Sequence, residues 1–276
     1  MYHSEAKIRL KNYFSEAGIK PGQNIIVHAS FRKIREAFPG VSPEDTVPVL
    51  KEIVSFRGSV IFPAFTYCFK KSVGSFDCFD RNCSPSKTGV LSEVFRTSEG
   101  VIRTSSPTHS FSLWGKAACE ISFLNSPSSP LGNGSVMDWL AGMEESYVFM
   151  PGTDFTSLTL GHYIENISGV EYLRISPWNY MNVLACGVLE DGEQSLTEVP
   201  GCSRSFTRFE HYLWEEGKIN KFSKDGLSSY LIRIPLLIEQ GRRYLRDYPT
   251  GLLCPEGTCP SCDERYMFLK NRRCRS

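Results

Sequence analysis

Along its amino-terminal part the chain switches between two hydrophobic periods. Residues 4 to 17 carry apolar side chains at Ile8, Leu10, Tyr13 and Phe14, a spacing that suits a first helix ended by Gly18. Ile25-Ile26-Val27 is short, β-branched and approached through Pro21-Gly22, which predicts a buried strand delivering His28, Ala29 and Ser30 to its carboxyl end. A helix from Pro43 to Ser55 follows, opened by Ser42 and Asp45 in a capping-box arrangement, and a second strand, Ser59-Val60-Ile61-Phe62, is stopped by Pro63. Strand, helix, strand implies a parallel pair. In open α/β sheets the loops beyond the carboxyl ends of such strands form the ligand crevice, so His28 to Ser30 and Pro63 to Thr66 are expected there.

The later pattern is similar. Residues 67 to 88 and 123 to 136 are rich in Ser, Pro, Gly and Asn and read as long ordered loops, the kind of segment that carries function. Tyr147-Val148-Phe149-Met150 is a further strand ended by Pro151-Gly152. Residues 157 to 166 have a helical look, which puts His162 and Glu165 on one face. A strand at Val183 to Leu189, a hairpin turn at Asp191-Gly192, and helices near 204 to 216 and 234 to 246 complete the pattern, with no internal repeat and no linker.

Composition narrows the function classes. The 276 residues are 41% hydrophobic, ample for a core, and the net charge of +1 comes from interspersed acids and bases. Neither nucleic acid nor an anionic membrane finds a broad electrostatic footprint. The amino terminus lacks the layout of a signal peptide and no apolar run is long enough to span a bilayer, so a cytoplasmic protein is expected. There the ten cysteines should be mostly reduced thiols, Cys186 serving as packing inside an apolar run.

Of the five histidines, His109 sits in the most suggestive setting, Arg103-Thr104-Ser105-Ser106-Pro107-Thr108-His109-Ser110 followed by Trp114-Gly115. Pro107 holds the backbone extended, so the imidazole is presented from a stiff, non-helical segment between two hydroxyls. Such a group can serve as a positioned base, or simply as a hydrogen-bonded histidine in a turn. Its company matters. Residues 22 to 31 read Gly-Gln-Asn-Ile-Ile-Val-His-Ala-Ser-Phe, 58 to 66 read Gly-Ser-Val-Ile-Phe-Pro-Ala-Phe-Thr, and 84 to 96 read Ser-Pro-Ser-Lys-Thr-Gly-Val-Leu-Ser-Glu-Val-Phe-Arg. Ser129-Pro130-Leu131-Gly132-Asn133-Gly134-Ser135 follows, then Gly152-Thr153-Asp154 leading to His162-Tyr163-Ile164-Glu165. In that order these segments resemble the aminoglycoside 3-N-acetyltransferase family from about residue 20 to 250. Three features depart from its pattern: Ser106 stands where many members have a second histidine, two residues are inserted between Asp154 and His162, and the tail is rich in cysteine. The first two bear on the acceptor more than on the fold.

The resemblance implies an α/β three-layer sandwich with a central mixed, largely parallel sheet flanked by helices, formed by residues 1–250 as one acetyltransferase domain before a cysteine-rich tail, 251–276. It implies an acyltransferase with acetyl-coenzyme A as cosubstrate and an amino group of an amino sugar as acceptor, joined in a ternary complex. His109 is assigned as general base and Glu165 as the carboxylate that fixes its tautomer; the resemblance points to the same kind of pair, against a plainly solvated helix glutamate. His28, Ala29, Ser30, Phe31, Arg32, Ser110, Pro130, Leu131, Gly132, Gly134 and Ser135 are assigned to the donor. Thr66, Asp154 and His162 are assigned to the acceptor side, with capping or packing as the alternative for the last two. Cys68 and Cys119 lack a Cys-His motif and are not expected to act as nucleophiles, and His3 and His211 have no partner in sequence.

The acceptor itself stays open. A polycationic aminoglycoside calls for a denser acidic cluster than Asp154, Glu165 and Glu171 provide, so modification of a nucleotide- or lipid-linked amino sugar stands beside antibiotic resistance as a role. The chain is expected as a monomer or homodimer. Cys254, Cys259, Cys262 and Cys274, separated by four, two and eleven residues, are the expected ligands of a structural zinc, against reduced thiols in a tail. The rival to the enzyme is a non-catalytic homologue, a binding or assembly protein with a metal-stabilised tail, which Ser106 keeps alive.

Overall fold

The computed structural model describes residues 2–174 and 182–273. Helix α1 (Tyr2–Glu16) precedes strand β1 (Asn24–Val27), short helix α2 (Phe31–Ala37), helix α3 (Pro43–Val54) and strand β2 (Ser59–Pro63). The expected capping box opens α3: the Ser42 side chain accepts from Asp45 N, and the Asp45 carboxylate accepts from Ser42 N. Next come β3 (Phe69–Lys71), α4 (Val90–Arg96), β4 (Ile102–Arg103), β5 (Phe111–Gly115), α5 (Lys116–Glu120), α6 (Val136–Ala141) and β6 (Ser146–Pro151). The chain then runs through α7 (Leu160–Ile167), β7 (Val183–Leu189), β8 (Gly192–Ser195), α8 (Thr207–Glu215), β9 (Phe222–Lys224), β10 (Leu227–Arg233), α9 (Ile234–Asp247) and α10 (Pro260–Arg273).

Seven strands form the main sheet in the order β4-β5-β2-β1-β6-β10-β9. Its centre is parallel, β1 pairing with β2 on one side and β6 on the other, while the flanks are antiparallel. The parallel character of the mixed sheet is thus confined to three strands. Both faces are covered, which explains why the central strands are unbroken apolar runs. Ile25, Val27, Val60, Phe62 and Phe149 face a core built with α1, α3 and α4; Ile26, Ile61, Val148 and Met150 face a second core built with α6, α7, α8 and α9. These alternating side chains make the three layers.

A three-stranded sheet, β3-β7-β8, stands apart from the main one, and its first strand lies within the segment the sequence assigned to loop. The short helices α2 and α4 and the strands β5 and β10 also carried no legible period. β5 is buried on both faces despite its serine, so no alternation marks it. Residues 251–273 are folded onto the rest: Leu252, Leu253 and Cys254 are buried, and α10 packs against a 3-10 turn at Glu171–Arg174. Among the described residues no helix is long and apolar enough to cross a membrane.

Candidate active site

The chain leaves β1 toward β2 on one side and reaches β6 on the other, so the carboxyl end of β1 is a topological switch point, where open α/β sheets form their crevice. A cavity of about 290 Å³ lies there. Val27, His28 and Ala29 line it from β1, Phe65 and Tyr67 from the loop after β2, and Thr156 to Thr159 from the loop after β6. β5 runs antiparallel to β2 with Phe111 opposite Pro63, which brings His109 to the same end. His162 of α7 and Pro200, Gly201 and Ser203 close the far wall.

His162 carries the strongest polar arrangement in this cavity. Its Nδ1 lies 2.7 Å from Glu165 Oε2, with side-chain exposures of 12% and 1%. A carboxylate only accepts, so Nδ1 donates and Nε2 is left as the basic nitrogen. Glu165 is held in turn: Tyr172 donates its hydroxyl to Oε1 at 2.8 Å, and Arg265 Nη1 lies 3.7 Å from the same oxygen. The Arg265 guanidinium also rests over the Tyr172 ring. The helical spacing read from the sequence does set imidazole and carboxylate on one face. α7 approaches Phe206 closely because residue 161 is glycine; a Cβ there would come within 2.2 Å of that ring, which also packs at a tilt against His162.

His109 has different surroundings. Its Nδ1 is 3.0 Å from Thr108 Oγ1 and its backbone N–H donates to Ser106 Oγ. Phe65, Tyr67 and Phe69 pack edge-on around its ring. The expected bond from Glu165 to His109 is therefore corrected: the carboxylate is bonded to His162, one turn away on the same helix. Burial, reinforced by the neighbouring His162, holds the His109 imidazole down to a pKa of about 3. Burial likewise lowers His28 to about 3, and its Nε2 has no hydrogen-bond partner among the described residues. Both rings are neutral near pH 7.

A stability profile follows from that. The folded chain resists protonation of His28 and His109, whereas the unfolded chain takes up both protons near the ordinary value of 6.5. Their contribution is complete above 6.5 and is lost as pH falls toward 3, by about 1.4 kcal/mol per pH unit for each ring. Urea unfolding between pH 6.5 and 5, above the carboxylate range, should show this decline, and His109→Gln should remove one ring's share of the slope. A flat profile would contradict the burial argument.

A second cavity of about 270 Å³ shares Ala29, Thr88 and Ser92 with the first and continues past Phe31, Arg32, Arg35 and Phe62. Together they form a groove with three imidazoles at one end and two guanidinium-bearing side chains at the other. Arg32 is largely exposed and 3.9 Å from Glu36, free to turn toward a phosphate.

The family model for aminoglycoside 3-N-acetyltransferase matches residues 26–246, most of the chain. The chain belongs to the aminoglycoside 3-N-acetyltransferase family. A curated relative, the SPbeta prophage-derived aminoglycoside N(3')-acetyltransferase-like protein YokD of Bacillus subtilis (strain 168), is 27% identical over 166 residues, which are 54% of this chain and 60% of that protein. The match therefore spans about three fifths of the relative's length. The apoenzyme of the aminoglycoside acetyltransferase AAC(3)-IVa superposes with a TM-score of 0.80 at 22% identity, covering 95% of this chain and 96% of the other. AAC-IIIb in binary complex with CoASH gives 0.71 at 21% identity, covering 88% and 96%. These structures share the fold.

Within this aminoglycoside 3-N-acetyltransferase fold, the residues assigned from sequence fall into two groups. His28, Ala29, Leu131, His109 and His162 line the main cavity, and Phe31 and Arg32 the groove. Others are structural. Ser30 caps α2. Ser110, assigned to the donor, is buried and outside the cavity lining, donating to Ala64 O and accepting from Arg103 Nε; Arg103 also donates to Ala64 O and Ser84 O, tying three loops together. Thr66 donates its hydroxyl to Pro107 O, Asp154 caps the 3-10 turn Phe155–Ser157, and neither is among the residues lining the main cavity. Pro130, Gly132, Gly134 and Ser135 form a tight loop outside the cavity lining: a Cβ on Gly132 would collide with Ser129 and Asn166, and Ser135 caps α6. Tyr67, Lys87, Thr88 and Ser92 line the site without having been assigned; Lys87 and Thr88 stood in the Ser-Pro-Ser-Lys-Thr-Gly segment that carried the resemblance.

Cys254, Cys259 and Cys262 come together as expected of a ligand set, but their companion is Cys202, all four sulfurs lying within 4.8 Å of one another. Cys274 lies outside the described residues. Spacing alone could not reveal Cys202, which stands in Pro200-Gly201-Cys202-Ser203 far from the tail in sequence.

Proposed function

We propose that the protein transfers the acetyl group of acetyl-coenzyme A directly to an amine of an amino sugar, with His162 as general base and Glu165 as its orienting carboxylate. The observation that carries this is the 2.7 Å bond from Nδ1 of His162, which lines the cavity, to the buried carboxylate of Glu165 behind it. The amine nitrogen attacks the thioester carbonyl, forming the C–N bond; His162 Nε2 takes the ammonium proton; the C–S bond breaks and that proton neutralises the leaving thiolate. Carboxylate support stabilises the imidazolium formed on the way. His109 is a poorer base, because burial suppresses its ionisation and, among the described residues, its side chain is bonded to a hydroxyl and to no carboxylate. It and His28 are neutral hydrogen-bonding groups toward the reacting carbonyl or the acceptor.

The donor fits the groove leading to Arg32 and Arg35, whose charges suit a pyrophosphate. AAC-IIIb, of the same fold, holds CoASH in its structure. A covalent acyl-cysteine route has no support: burial raises the Cys68 thiol, and neither it nor Cys119 lines the cavity. Action in the cytosol, where acetyl-coenzyme A is abundant and thiols stay reduced, agrees with these features.

A histidine-to-alanine mutant of AAC(3)-IVa has been crystallised with a gentamicin and with apramycin. Here, among the described residues, no carboxylate lines the main cavity, and the cation that does, Lys87, is ion-paired at the exposed rim with Asp77 at 2.9 Å, a pair that an anionic acceptor would have to displace. That charge pattern favours an acceptor with few ammonium groups and an anionic portion, an amino sugar carried on a nucleotide, over a polycationic aminoglycoside. Incubation with acetyl-coenzyme A and either acceptor class, read by mass spectrometry of the product, tests both claims. Acetylated nucleotide amino sugar is expected, at least about tenfold more efficiently than gentamicin, the equivalent of one misplaced charge contact. The reverse order would overturn the acceptor preference. No product from any amine, together with no binding of acetyl-coenzyme A, would overturn the transfer and favour a non-catalytic homologue.

A further inference from the structure

We propose that Cys202, Cys254, Cys259 and Cys262 bind one zinc ion as four thiolates, and that this centre fastens α10 and the segment before α8 to the wall of the acyl-transfer cavity. Zinc–sulfur bonds of about 2.3 Å put the sulfurs of a tetrahedral site about 3.8 Å apart. Cys202 and Cys254 Sγ are 3.8 Å apart, and all four sulfurs lie within 4.8 Å of one another without any bonded pair. Two backbone N–H groups already point at sulfur, Arg204 N at Cys202 Sγ (3.4 Å) and Cys254 N at Cys262 Sγ (3.3 Å), as suits thiolate charge. Three of the four cysteines are buried, in a cluster with Tyr172 and Leu253. An all-sulfur tetrahedral donor set selects zinc or iron over harder cations, and a closed four-ligand site is structural in kind.

The ligands come from three places: the loop before α8, the loop after α9, and the start of α10. Zinc would therefore join segments that local hydrogen bonding does not. Arg265 stands three residues beyond Cys262 on α10 and is fully buried, its guanidinium lying against Gly201 so closely that a Cβ there would meet it at 2.6 Å. The same guanidinium reaches Glu165, and Pro200, Gly201 and Ser203 line the cavity. The centre thus holds both the wall and the support of Glu165; this last consequence rests on the base assignment above, whereas the zinc site does not.

Metal analysis of the full chain, purified under reducing conditions and dialysed against a weak chelator, is expected to find one zinc per chain. Cobalt exchanged into the site should give the intense visible absorption of a tetrahedral thiolate complex. Cys202→Ser should lose the metal and Cys274→Ser should keep it. Should Cys202→Ser not fold, Cys202→His, which retains a zinc ligand, is expected to fold and bind. Zinc-free wild-type protein with all four thiols open to a thiol reagent would overturn the proposal. So would loss of zinc in Cys274→Ser with retention in Cys202→Ser, and an iron–thiolate spectrum would overturn the choice of metal. Zinc content is read without turnover, so its failure is distinguishable from failure of the transfer reaction.

Discussion

Replacing Glu165 with alanine is expected to destabilise the protein by about 3–5 kcal/mol and to abolish most turnover. The carboxylate is fully buried, accepts from Tyr172 and His162, and lies 3.7 Å from the guanidinium of Arg265, itself buried. Removing it takes the acceptor from two donors and a nearby negative charge from a buried cation, in a medium that solvates them poorly, which is the source of that magnitude. Urea unfolding at pH 7 measures it. Glu165→Gln separates structure from chemistry. The amide oxygen can still accept from Tyr172, but no second acceptor remains for His162 Nδ1, so the imidazole loses its fixed tautomer. That variant should keep more of the stability than alanine while losing about 10²–10⁴ in kcat, the range seen when a base or its tautomer is disrupted. An alanine variant as stable as wild type would contradict the buried network.

The second large effect is expected at His162. His162→Gln should lower kcat by about 10²–10⁴ with little change in the affinity for acetyl-coenzyme A, because in the proposed reaction the ring takes the proton of the attacking amine and the substitution lies outside the groove proposed for the donor. His109→Gln should fall much less, within about tenfold, since a ring held neutral by burial gives up only hydrogen bonds when replaced. Steady-state kinetics at saturating donor separates the two histidines. Equal losses would show them working as one unit; a larger loss at His109 would return the base role to it.

The contrast between these histidines shows what was legible in the chain. Local signals held: Ile25 to Val27 and Ser59 to Phe62 are parallel neighbours, Ser42 and Asp45 form the capping box, and His162 and Glu165 share a helix face. Each depends on residues a few positions apart. The partner of Glu165 depended on tertiary placement, and the unusual Pro107-Thr108-His109 sequence drew the carboxylate assignment to the wrong ring. In the fold that sequence is a rigid turn, with Thr66 and Tyr67 bonded back to it and its proline packed against Gly187. Ser110 and Asp154 were similarly singled out by their polarity, whereas Ser110 is bonded to Ala64 O and Arg103, and Asp154 to the backbone and hydroxyl of Thr156. Arg265 and Cys202 carried no local pattern. They became meaningful only once α10 had folded back beside Glu171–Arg174.

The central claim is that donor and acceptor meet in one cavity and react directly. Initial rates of thiol release, measured while acetyl-coenzyme A and an acetylatable amino sugar are varied together, test it most directly. Intersecting double-reciprocal lines, with no acetylated enzyme accumulating when acceptor is omitted, are the predicted result. Parallel lines with stoichiometric acetylation of a side chain would contradict it.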